Sequence, residues 1–187
     1  GNTLVILPTG SGKTLIAAEA IKQALAAPPA RLGASRALIL VPTVMLVSQQ
    51  AAAVREWTGL STAEYYGGLT FPTTDFSVLV STPTSFLAMQ KKTPSLTWDR
   101  FAMVVFDEVH HVLKDHPYRH IALDLRARST GAAASRAAPG PSVLGLTASL
   151  TYAVGDQKVK RACENICDEL RVVHMATATT AEMQQDG

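Results

Sequence analysis

The sequence predicts an α/β fold: a central, mainly parallel sheet with helices on both faces. Three observations predict it. Short apolar runs alternate with helix-like segments along the chain, the pattern of strands joined by crossover helices. Most of these runs are apolar throughout, as strands buried on both faces are. Hydrophobic residues make up 47% of the chain and charged residues only 17%, against about 25% in ordinary soluble domains. At 187 residues the chain is the size of one large domain, able to bury roughly 70% of the surface its unfolded form exposes. A mean hydropathy of +0.14 argues against disorder, and the lack of an apolar run of about 18 residues argues against a membrane span.

The elements follow in order. Residues 3–7 (TLVIL) are a first strand, 8–13 a glycine-rich loop and 14 to about 26 a helix. A turn over 28–35 leads to a second strand at 37–41, and Pro42-Thr43 opens a second helix reaching about Trp57. Residues 64–66 read as a short strand ended by Gly67-Gly68. A strong strand at 77–80 precedes a helix that starts at Pro83. Buried strands follow at 102–106 and 143–146. Between them, 128–141 (RSTGAAASRAAPGP) reads as a surface loop. Residues 157–170 form an amphipathic helix, with Val159, Ala162, Cys163, Ile166 and Leu170 at helical spacing. The first 175 residues read as the domain and 176–187 as linker or tail.

A net charge of +2 and a pI near 8.6 neither demand nor exclude a nucleic-acid partner. Two cysteines cannot build a disulfide framework, and they read as reduced thiols of an intracellular protein. The chain opens on Gly1 without a basic leader and reads as an excerpt of a longer polypeptide.

Two segments carry chemistry. Pro8-Thr9-Gly10-Ser11-Gly12-Lys13-Thr14 lies between a strand and a helix, the context a phosphate-binding loop requires. Glycines let the backbone turn its amides toward an anion, and the following helix adds the positive end of its dipole. Lys13 would then reach the terminal phosphates of a nucleotide, and the Thr14 hydroxyl would ligate Mg²⁺. The strict motif wants glycine at position 7, where this chain has Leu7. The second segment, Val104-Val105-Phe106-Asp107-Glu108-Val109-His110-His111, is a buried strand delivering two acids at its C-terminal end, where open α/β sheets bind ligands. Asp107 would hold Mg²⁺, and Glu108 would orient and activate the attacking water. The two segments are expected on neighbouring strand ends. His110, His111, His116 and His120 lack the spacing and thiolate partners of a zinc site, so His110 reads instead as a neutral hydrogen-bond relay. The absence of a guanine-reading N-K-x-D leans toward ATP.

PTGSGKT (8–14), VPTVMLVSQQ (41–50), STPTSF (81–86), DEVHH (107–111) and GLTAS (145–149) resemble, in order, motifs I, Ia, Ib, II and III of superfamily 2 helicases. The doubled histidine, the HPY run at 116–118 and the LGLTASL run are similar to the branch containing Dicer and the retinoic-acid-inducible RNA sensors, Dicer above all. Val109 stands where that branch usually has Cys. The resemblance implies the first RecA-like lobe of a DExH-box ATPase (a P-loop NTPase domain) that holds ATP and Mg²⁺ against a second lobe of the same polypeptide, with double-stranded RNA across both. It implies backbone contacts from Pro42, Thr43, Gln49, Thr82 and Pro83, although both threonines could equally be helix caps. It gives Thr147 and Ser149 a role in coupling, through a hydrogen bond to His110. It also implies a cytoplasmic or nuclear setting and little hydrolysis by this lobe alone. A fork-remodelling DNA translocase and a nucleotide-switched RNA-binding module without turnover are the alternatives.

Overall fold

The computed structural model describes residues 1–27, 34–70, 76–113, 115–130, 140–148, 150 and 157–177. The turn expected at 28–35 falls largely outside them, as do Ser149, most of the 128–141 loop and most of the tail.

Among the described residues, seven strands form one sheet: β1 (Asn2–Ile6), β2 (Arg36–Leu40), β3 (Thr62–Tyr65), β4 (Val78–Ser81), β5 (Phe101–Asp107), β6 (Ser142–Thr147) and β7 (Val172–Thr177). Their spatial order is β3-β4-β2-β5-β6-β1-β7, and every pairing is parallel. The described helices between them are α1 (Lys13–Ala26), α2 (Val44–Thr58), α3 (Pro83–Lys92), α4 (Pro117–Thr130) and α5 (Gln157–Leu170). Short 3₁₀ turns at Trp98–Arg100 and Val109–Leu113 bracket β5.

Because side chains alternate along a strand, each strand feeds two cores. Val5, Ile39, Val80, Val105 and Leu144 meet Ala17 and Ile21 of α1 and Val47, Ala51 and Val54 of α2. Leu4, Leu38, Leu79, Val104, Phe106 and Val143 face the other way, toward Phe86 and Met89 of α3, Tyr118 and Ile121 of α4, and Ile166 and Leu170 of α5. The α/β fold with helices on both faces is therefore the one the sequence predicts. Trp98 is fully buried in the second core, its ring tilted against those of Phe86 and Phe101, with its indole N–H donated to Asp124.

Three expectations need correcting. The helix α4 runs through Thr130, so the 128–141 segment does not begin as a loop. A seventh strand, β7, was not foreseen, and it takes Ala176 and Thr177 out of the expected tail. The short strand at 64–66 instead spans Thr62–Tyr65. Cys163 and Cys167 are free thiols on α5, and burial pushes both thiol pKa values up. Among the described residues, no helix is long and apolar enough to cross a membrane.

Candidate nucleotide and nucleic-acid site

The C-terminal ends of β1, β5 and β6 lie in a row and carry the candidate residues. Beyond β1 the chain stays paired for one more residue, Leu7 N–H donating to Thr147 O at 3.0 Å. The Leu7 side chain is buried in the α1–α2 core, which gives position 7 a packing role that glycine could not fill. The chain then turns through Gly10 and Gly12, both at φ 80°, a region open to glycine and strained for other residues. An added Cβ at either glycine would meet nothing within 4 Å, so the requirement is conformational and not steric.

Gly12 caps α1 without a side-chain acceptor, and the first turn holds no acid. The first amides of α1 are therefore left without a side-chain partner, as a helix start that receives an anion would be. Ser11 Oγ donates to Pro8 O at 2.6 Å, tightening the loop. Lys13 donates its ammonium to Pro8 O (2.8 Å) and Leu7 O (3.3 Å), holding a positive charge at the loop mouth. Thr9 is exposed and Thr14 half-buried in the first turn of α1.

Asp107 ends β5. Burial, and then the neighbouring Glu108 charge, push its carboxyl up to about 6, opposed by a backbone hydrogen bond, the Lys13 charge and a hydrogen bond from Gln50. The Lys13 charge is thus one of the groups that act on Asp107. The strand ends, however, are not neighbours: β6 lies between β1 and β5.

Glu108 adopts φ 53°, unusual for a side chain of its kind. This turn leaves its carboxylate 3.3 Å from His110 Nδ1, and Thr147 Oγ1 donates to it at 3.4 Å. His110 Nδ1 and Thr147 Oγ1 are 3.0 Å apart, so acid, imidazole and hydroxyl form a closed triangle across β5 and β6. Beside it the His110 and His111 rings meet at a tilt, centroids 4.4 Å apart, and His111 stacks on His116 at 4.9 Å. Val109 is wholly buried, packed against Gly145.

The residues expected to touch nucleic acid divide into two sets. Thr43 is exposed and precedes α2 without capping it by its side chain, Gln49 is exposed on α2, and Pro42 is half-exposed. Thr82, by contrast, caps α3: its hydroxyl accepts from Ser85 N–H (3.4 Å) and donates to Ser85 Oγ (2.8 Å). Thr82 and Pro83 are buried, so they present the amides of α3 and little side chain.

Sequence reasoning missed two residues here. Gln50 Nε2 donates to Asp107 Oδ2 at 3.3 Å, and its position was legible: Val47, Ala51 and Val54 mark the inward stripe of α2, which Gln50 shares and Gln49 does not. Tyr118, quoted above only as part of HPY, donates its hydroxyl to Leu40 O and Asp107 O, each at 2.8 Å.

Residues 1–151 match the family described as type III restriction enzyme, res subunit. Similar curated proteins include endoribonuclease Dicer homolog 2b of Oryza sativa subsp. japonica, 37% identical over 163 residues covering 81% of this chain and 12% of that protein. Another is endoribonuclease dcr-1 of Caenorhabditis elegans, 31% identical over 199 residues covering 99% of this chain and 10% of that protein. The chain thus spans only about a tenth of these relatives (12% and 10%). Among solved structures, the helicase domain of Pyrococcus furiosus Hef superposes with a TM-score of 0.73 at 25% identity, over 98% of this chain and 36% of that one. The chain belongs to the type III restriction enzyme res-subunit family, as the first RecA-like lobe of a Dicer-like superfamily 2 helicase.

Proposed function

We propose that this lobe binds ATP with Mg²⁺ and, together with a second lobe of the same polypeptide, hydrolyses it when double-stranded RNA engages the starts of α2 and α3. One observation carries the reading: the uncapped glycine turn with its lysine and the half-buried acid pair lie at the same end of the parallel sheet, where the Lys13 charge acts on Asp107.

The residues suit the ligands. Two left-handed glycines and an uncapped helix start fit a phosphate group. A half-buried carboxylate and a threonine hydroxyl are hard oxygen donors of the kind Mg²⁺ takes, and a cation would offset the burial and the Glu108 charge that raise Asp107. Asp107 and Thr14 would hold Mg²⁺, which supplies positive charge against the phosphates when bound. The chain's own residues do the rest. The amides from Gly10 to Thr14 and the Lys13 ammonium grip the phosphates. Glu108, with His110 and Thr147 fixing its carboxylate, orients a water and accepts its proton. Thr43 and Gln49 side chains, with the α3 amides, meet the nucleic-acid backbone.

In the full-length protein, ATP hydrolysis should rise on adding duplex RNA, and Lys13→Ala or Glu108→Gln should lower it at least about a hundredfold. Stimulation by duplex DNA alone would move the assignment to a DNA translocase. Tight ATP and RNA binding with no turnover in the unmutated protein would make it a nucleotide-switched binding module.

A further inference from the structure

The acid that ends β5 is held from two sides by groups that belong to neither the phosphate loop nor the acid pair. From α2, Gln50 donates to the Asp107 carboxylate at 3.3 Å. From α4, the fully buried Tyr118 donates to the Asp107 carbonyl and to the Leu40 carbonyl, 2.8 Å from each.

The second contact has a clear physical reason. β2 and β5 pair in parallel up to Leu40↔Phe106, and there their ladder stops. Carbonyls at such an end need a donor from elsewhere if they are shielded from water. The local sequence supplies one. His116 Nδ1 accepts the Tyr118 N–H at 3.2 Å and His116 O accepts the Arg119 N–H at 2.9 Å, so His116 caps α4 and Pro117 begins it. Tyr118 is thereby aimed inward, its ring edge-on to Phe106 at 5.3 Å. The HPY run is a device for placing one phenol hydroxyl between two strand ends.

Both contacts join Asp107 to the same segment. Leu40 is the last residue of β2, the Pro42-Thr43 turn follows it, and Gln50 sits on the helix that turn begins. We infer that Gln50 and Tyr118 are positioning residues which clip Asp107 to the β2–α2 segment, so that a polyanion seated at Thr43 is felt at the metal-holding carboxylate. The clip rests on the reading of Asp107 as a Mg²⁺ ligand, and its coupling role on Thr43 as a nucleic-acid contact.

The test is a Mg²⁺ titration of the full-length protein's binding to a fluorescent non-hydrolysable ATP analogue, with and without an RNA duplex. In the unmutated protein the duplex should lower the Mg²⁺ midpoint. Tyr118→Phe keeps the ring and loses the hydroxyl; Gln50→Leu keeps the bulk and loses the donor. Each should raise the midpoint about 10- to 100-fold, the usual cost of removing a group that orients a metal ligand, and each should abolish the shift caused by duplex. Gln50 is only half-buried, so its variant carries the test should Tyr118→Phe fail to fold. An unchanged midpoint in either folded variant overturns the clip, and a duplex that leaves the unmutated midpoint unmoved overturns the coupling. Lys13→Ala separates the two levels. If it binds the analogue as tightly as the unmutated protein, the nucleotide-site reading itself is wrong; if it abolishes binding while the clip variants keep the unmutated midpoint, only the clip is wrong.

Discussion

Asp107 ends its strand with a carboxyl that burial and Glu108 push up to about 6, from an ordinary value of 3.8. The folded protein therefore holds this proton more tightly than the unfolded chain does. Its contribution to stability is largest below about pH 4 and is lost as pH rises through 6. At pH 7 the ionised carboxylate costs the nucleotide-free protein up to about 3 kcal/mol. Asp107→Asn should therefore raise the denaturation midpoint at pH 7 and change it little at pH 4, as urea titrations at the two pH values would read. The same shift predicts that Mg²⁺-dependent nucleotide binding weakens below pH 6, by about tenfold per unit as the proton competes. Stability conceded at this carboxylate is what leaves it ready for a cation. Glu108 makes a similar concession in its backbone, where φ 53° costs of order 1–3 kcal/mol and turns its carboxylate toward His110 and Thr147.

Helix starts separate two threonines that the sequence alone treats alike. Thr82 caps α3, so Thr82→Ala should cost about 1 kcal/mol in unfolding free energy. Thr43 makes no such cap, so Thr43→Ala should cost under about 0.5 kcal/mol yet weaken duplex binding, as denaturant titration and an RNA-binding isotherm would separate. The phosphate loop behaves differently again. Gly12→Ala has room for its methyl group but not the backbone conformation, and should destabilise by about 1–2 kcal/mol while opening the loop. Most elements were legible because their signal was local: apolar runs gave β1, β2, β4, β5 and β6, and the Gly-Lys-Thr and Pro-Thr boundaries gave α1, α2 and α3. The helix α4 was legible but overlooked, since Tyr118, Ile121, Ala122 and Leu125 are its buried stripe at helical spacing. The strand β7 was not legible. Its side chains are almost all exposed, and what makes it a strand is pairing with β1. The same distinction runs through the site. The loop and the acid pair are contiguous in sequence, whereas the Gln50 and Tyr118 contacts to Asp107 span 57 and 11 residues and exist only once α2 and α4 are packed.

At the scale of the molecule, one sheet carries its chemistry on a single edge. Parallel pairing throughout aligns every strand's C-terminal end on that side, so the loop after β1, the acids after β5 and Thr147 at the end of β6 converge without any long excursion of the chain. β6 between β1 and β5 makes Thr147 the natural bridge, touching His110 through its side chain and Leu7 through its carbonyl. The two opposed cores, one under α1 and α2 and the other under α3, α4 and α5, hold this edge rigid from both faces.

The position of β1 in that sheet has a consequence for synthesis. Both its neighbours come from far along the chain: β6 begins at Ser142 and β7 at Val172, and the Asn2 side chain bonds Leu170 O and the Val143 N–H across the same gap. Of the seven strands, the one synthesised first is thus among the last to find partners, and the closure of so long a loop is slow. A nascent chain halted at residue 141 should show no hydrogen-exchange protection at Val5 or Ile6, while one carried through residue 177 should protect both.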